Sequence, residues 1–242
     1  GGDQGKILVV IQLSGGNDGI NTVIPYQDDG YAKHRSELRI GEEDLIKLGG
    51  DLAFHPRLRS ASELFNDDRL SIVHGVGYPN PNRSHFESMD IWHTARMDPE
   101  DRKAGTGWIG DAANRMQSAT GPHAIHVGSG TIPVALRGRR CTTTSLSSLA
   151  DLELSLDDLG EVSTAAGNSR SLMDFVNQSV QGAYASAKEL AENTEADHSV
   201  RYPGSVLAQK LKIISEVIMT GSASRIYYTT QSGYDTHASQ MR

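Results

Sequence analysis

Apolar positions follow two spacings along this chain. Continuous runs bounded by glycine or turn residues predict buried strands, and stripes spaced three or four apart predict helices. Lys6 to Leu13 is such a run, closed by Ser14-Gly15-Gly16, and reads as a central strand buried on both faces. Leu70 to Val76 predicts a second strand, and His123–Val127 and Ile132–Leu136 two more around a Gly-Ser-Gly turn. Arg225 to Thr230 is the last. Helices are expected over Tyr31–Leu38, Arg57–Phe65, Ser84–Arg96, Gly107–Gln117, Leu172–Ala191 and Val206–Thr220. The last of these carries Leu207, Leu211, Ile214 and Ile218 along one stripe. Strands alternating with helices imply an α/β layered fold. From Thr142 onward Ser, Thr, Leu and Asp dominate without a period, so an insertion or lid is expected at about 142–200 within a single domain spanning 1–242.

Composition narrows the function classes. With 242 residues, 37% hydrophobic and 22% charged, the chain is expected to be a soluble globular protein able to bury one large core or two modest ones. Its formal net charge of −7 argues against nucleic acid or an anionic membrane as partner. No apolar run reaches the roughly 18 residues of a transmembrane helix. The single cysteine, Cys141, excludes an internal disulfide and a cysteine-rich zinc site.

Three segments carry chemistry. In Gly77-Tyr78-Pro79-Asn80-Pro81-Asn82-Arg83-Ser84-His85-Phe86-Glu87, a turn-rich stretch delivers Ser84 to a helix start. There, free N–H groups and the helix dipole suit an anionic ester, and the hydroxyl is placed as an attacking group. Ser84-x-x-Glu87 is equally a capping box. Asp18, in Gly15-Gly16-Asn17-Asp18-Gly19, is a ligand for a divalent cation or an ordinary turn carboxylate. Asp235 and His237, two apart, project to one side of an extended segment and form half of a zinc- or manganese-type site. The other histidines read as surface or core residues, with His74 the best placed to reach a site. Asp18, Ser84 and Asp235 each follow a proposed strand, where ligands gather in parallel sheets. A chain ending so soon after His237 is expected to be a truncated one, missing sequence before Gly1 as well.

Ile11–Tyr26, Val76–Phe86 and Gly233–Ala238 resemble, in this order, three signatures of the DUF1501 family, and Gly107–Gly110 and Tyr202–Ser205 also fit. The resemblance covers essentially the whole chain. It implies a three-layer α/β/α sandwich of the alkaline phosphatase and sulfatase kind, incomplete at the C-terminus, in an exported, periplasmic or secreted bacterial protein. It further implies a metal-dependent hydrolase of phosphate or sulfate esters, small-molecule or glycan, with Ser84 as nucleophile. Asp18, Asp235 and His237 would hold the divalent metal (zinc, manganese, magnesium or calcium), while Asn17 or Arg83 would hold non-bridging oxygens. The family's later Ser-Glu-Phe-Gly-Arg segment and Asp-His pair do not occur in this chain. A non-catalytic surface or carbohydrate-binding protein that retains the fold is the alternative.

Overall fold

The computed structural model describes residues 5–116, 122–147, 200–219 and 221–235. They form two compact units. Unit 1 comprises the chain up to Gln12 and Ser84–Gln231; unit 2 comprises Leu13–Arg83 and the segment from Ser232 onward.

Unit 1 is built on a sheet of β1 (Leu8–Leu13), β5 (Ala124–Val127), β6 (Thr143–Leu146) and β7 (Ile226–Gln231), in the order β1-β7-β5-β6. β5 pairs in parallel with both β6 and β7, in matched register. The mixed α/β class expected from the sequence is present, with this parallel sheet as its centre.

Two apolar layers cover the faces of the sheet. On one, Ile125, Val127, Leu146 and Tyr227 pack against Ile214 and Val217 of the helix Val206–Met219 (α7). Leu211 and Ile218 of the expected stripe join this layer as partly buried residues. On the other, Ala124, Ile226 and Tyr228 meet Ile109 and Ala113 of Trp108–Ala113 (α6) together with Ala135 and Leu136. Each large aliphatic side chain buried this way stabilises by about 1.5–3 kcal/mol. The Gly107-Trp108-Ile109-Gly110 segment owes its glycines to backbone approach. A Cβ at Gly110 would lie 2.3 Å from the Arg137 carbonyl, and one at Gly107 2.2 Å from that of Val134.

Several expectations are corrected. β1 is a strand, but at the edge of the sheet rather than its centre; Leu8, Val9 and Ile11 remain 45%, 38% and 41% exposed. An apolar run does not say which strand of a parallel sheet it becomes, and β5 and β7 take the centre. Leu70–Val76 forms no strand: it is unpaired chain with Val73 77% exposed, so no strand delivers Ser84 to its helix. Ile132–Leu136 becomes a 3-10 turn at Val134–Leu136, entered from Pro133, whose missing N–H and fixed φ suit a turn better than a ladder. Thr143–Leu146, at the start of the expected insertion, is sheet strand β6; residues 148–199, with the expected helix Leu172–Ala191, lie outside the described residues.

Unit 2 contains an antiparallel sheet not anticipated from the sequence. β2 (Val23–Ile24), β3 (Ile46–Gly49) and β4 (Leu52–Phe54) run in the order β2-β4-β3, with Ile24, Ala53 and Phe54 buried. Strands this short carry too few alternations to be seen as a period. The one-turn helix Gly19–Thr22 (α1), Asp29–His34 (α2) and Arg59–Asn66 (α3) complete the unit. Phe65 packs edge-on against Phe54, with ring centroids 6.1 Å apart.

Candidate functional site

Ser84 is the N-cap of His85–Thr94 (α4), with extended backbone angles. Its Oγ accepts from the Glu87 N–H at 3.5 Å, so the hydroxyl does serve the helix start. It is also exposed, as are Arg83 and His85. Glu87 places a carboxylate in the first turn, which would offset the positive end of the helix dipole. Arg102, from the short helix Pro99–Arg102 (α5), pairs with that carboxylate and offsets its charge. Ala95, left-handed at φ 54°, ends α4 with a bond to the Ile91 carbonyl.

In unit 2 the glycine-rich loop and the Tyr234-Asp235 segment come together. Gly15 has φ +96°, and a Cβ built there would stand 2.9 Å from the Asp235 nitrogen and 3.0 Å from its Cβ. Only a residue without a side chain allows this approach. The first and third motifs, separated by more than two hundred residues in sequence, therefore meet. His237 lies outside the described residues.

Asp18 does different work from that expected of a free ligand. Its two carboxylate oxygens accept from Arg35 at 2.6 and 3.0 Å, a bidentate pair three-quarters buried at both side chains. The bond to Asp18 raises the Arg35 pKa against the opposing effect of burial. Asp18 also caps α1 through the Asn21 N–H, at 3.4 Å. Asn17 donates to Thr22 Oγ1 at 2.9 Å, and Thr22 in turn donates to the Asp18 carbonyl. These bonds build the turn itself. Among the described residues no three of His, Cys, Asp and Glu gather as a metal would require. Asp18 is neutralised by Arg35.

A polar row in unit 1 escapes sequence reasoning altogether. Register sets His126 of β5 beside Tyr228 of β7 on one side and Ser145 of β6 on the other. His126 Nδ1 lies 2.8 Å from Ser145 Oγ, and the His126 and Tyr228 rings tilt together at 6.4 Å. The Tyr228 hydroxyl donates to Gln12 Oε1 of β1, and His93 Nε2 of α4 reaches the same oxygen at 2.8 Å. An amide oxygen only accepts, so His93 carries its proton on Nε2. Burial lowers the pKa of His93, partly opposed by Asp90. Burial and then the charge of Lys210 lower that of His126. Burial pushes Tyr228 up to about 12. His74, by contrast, stands exposed on the unpaired Leu70–Val76 segment. His126, Ser145 and Tyr228 are grouped by strand register alone, and the packing of α4 adds His93 to Gln12.

Comparison of the chain with family models, curated proteins and solved structures finds no match. Among the described residues no helix is long and apolar enough to cross a membrane.

Proposed function

We propose that this protein is a metal-dependent hydrolase of phosphate or sulfate esters in which Ser84 attacks the ester. The observation that carries the reading is the Gly15–Asp235 approach, which unites two of the three motifs in one place. Within unit 1, Ser84 offers an exposed hydroxyl at the start of a ten-residue helix. The N–H groups of that first turn are disposed to meet the oxygens of an anionic ester, and Arg83 stands next to them in sequence. Attack by Ser84 Oγ on phosphorus or sulfur would form the new ester bond and break the bond to the leaving oxygen, which takes up the hydroxyl proton and departs as the alcohol; water would then release the acid and restore the serine hydroxyl. The hydroxyl must first leave its bond to the Glu87 N–H, which at 3.5 Å is long and weak. Asp235, with His237 beside it in sequence, is the place to look for a metal ligand.

The engagement of Asp18 by Arg35 favours a second reading, an exported surface or carbohydrate-binding protein that uses the fold without turnover. The experiment is hydrolysis of 4-nitrophenyl phosphate and sulfate, assayed with zinc, manganese, magnesium and calcium in turn. Turnover lost by several orders of magnitude in Ser84→Ala, beside a stability change of only about 1 kcal/mol for the cap, supports the first reading. An intact protein inactive with every metal, or a Ser84→Ala variant that keeps the wild-type rate, overturns it.

A further inference from the structure

The exposed side of α6 reverses the charge of the chain as a whole. Residues 122–147 contain Arg137, Arg139 and Arg140 and no Asp or Glu, in a chain whose net charge is −7. Over 107–116 the one acid is Asp111, and its carboxylate is already paired with Arg96 at 2.6 Å. Arg115 stands in the turn that follows α6, its N–H bonded to the Ala112 carbonyl at 3.0 Å. The 137–140 segment is held flush against this helix. The Gly107 N–H donates to the Arg137 carbonyl at 2.8 Å, and a Cβ at Gly138 would lie 2.5 Å from the Gly110 oxygen. Asn114 Oδ1 accepts from the Arg140 N–H at 2.8 Å, so Arg140 is tied to the residue that immediately precedes Arg115. Arg137 turns back through Nε and one NH2 group to the Ile132 carbonyl, at 3.3 and 3.2 Å. Arg115, Arg139 and Arg140 are exposed and form no ion pair among the described residues.

Apolar groups share this surface. Trp108 and Ala112 lie four apart on α6, one turn after the other, and Trp108 is 44% exposed. Met116, next to Arg115, is 39% exposed. Tryptophan, methionine and arginine are the residue types that concentrate at the centres of protein interfaces, where lysine and carboxylates are depleted. A guanidinium fork matches a carboxylate with two parallel bonds. An extended polyanion would meet the negative field of the whole chain, whereas a short acidic segment meets only these arginines, whose reach is screened within about 8 Å at physiological salt. A folded partner would engage about 20–30 residues a side, more than this surface offers. We infer that the α6 surface docks a short acidic segment of a partner protein, with Arg115, Arg139 and Arg140 taking its carboxylates and Trp108 and Met116 an apolar side chain. No part of this rests on the Ser84 reading.

The test is a binding titration with a short fluorescein-labelled peptide of glutamates around a central leucine. The comparison probes are the same peptide with lysine for glutamate, a single-stranded oligonucleotide and a sulfated oligosaccharide. The intact protein carries Trp92→Phe, which leaves Trp108 as its one indole. The glutamate peptide is expected to bind saturably, to shift the Trp108 emission and to lose affinity as salt is raised. Arg139→Gln with Arg140→Gln removes two charges and leaves the backbone bond to Asn114 in place, so it should weaken binding about tenfold or more. Arg57→Gln with Arg59→Gln removes the same charge from exposed positions elsewhere and should leave binding unchanged. Absence of saturable binding, an unshifted Trp108 emission, or equal losses in the two double variants overturns the proposal. So does tighter binding of the lysine peptide, the oligonucleotide or the sulfated oligosaccharide.

Discussion

Gly15→Ala tests the closest approach between two of the motifs. Two costs are combined in that substitution. The first is conformational: at φ +96° an alanine is strained whatever surrounds it, by about 1–3 kcal/mol. The second is steric: the new methyl would stand 2.9 Å from the Asp235 nitrogen and 3.0 Å from its Cβ, and backbone cannot turn aside as a flexible side chain can. Gly49 separates the two, because its φ is +95° and a Cβ there meets nothing within 4 Å. Gly49→Ala should therefore show the conformational cost alone, and Gly15→Ala should exceed it by the about 1–3 kcal/mol typical of overpacking. Urea unfolding of both variants measures the difference. Asp235→Gly in the Gly15→Ala background should recover part of the excess, since it removes the Cβ contact and leaves that with the nitrogen. A Gly15→Ala variant no less stable than Gly49→Ala would refute the approach, and with it the observation behind the proposed function.

Three further outcomes follow from buried groups. Burial lowers the pKa of His93, His123 and His126, so below about pH 6.5 the unfolded chain takes up protons that the folded one refuses. Stability should fall as pH drops through that value, less steeply in His126→Gln, and a melting temperature equal at pH 8 and 5 would contradict this. Tyr228 holds its proton to about 12, so its phenolate absorbance should appear late in an alkaline titration, with stability declining above about pH 10 as unfolded tyrosine ionises. Gly110→Ala, whose methyl would meet the Arg137 carbonyl at 2.3 Å, should cost about 3 kcal/mol or more in denaturant unfolding, and a loss under 1 kcal/mol would argue against the close packing of α6 on the 134–138 segment.

Local signals account for much of what was legible in advance. The stripe in Val206–Met219 is written in spacing alone, and α7 forms where it predicts. Ser84 caps α4 because a serine before a helix bonds its first turn whatever lies beyond. The Gly15-Gly16 pair marks a left-handed turn that only glycine adopts freely, and both residues have positive φ. Position within the sheet was not legible. β1 looks central because its residues are apolar on both faces, yet strand order depends on the partners available, and β5 and β7 occupy the middle. Leu70–Val76 has the composition of a strand and pairs with no strand among the described residues. Asp18 carries the same carboxylate whether it binds a cation or Arg35, and only the path of α2 brings that guanidinium to it. His126 needs strand register to find Ser145 and Tyr228, and the reach of Lys210 across the sheet to gain its charged neighbour. Sequence by itself determined the α/β class, most helices and the turns, because these arise from interactions within a few residues. Tertiary structure alone decided edge against centre, free ligand against ion pair, and which polar groups share a space, because each depends on residues brought together from distant parts of the chain.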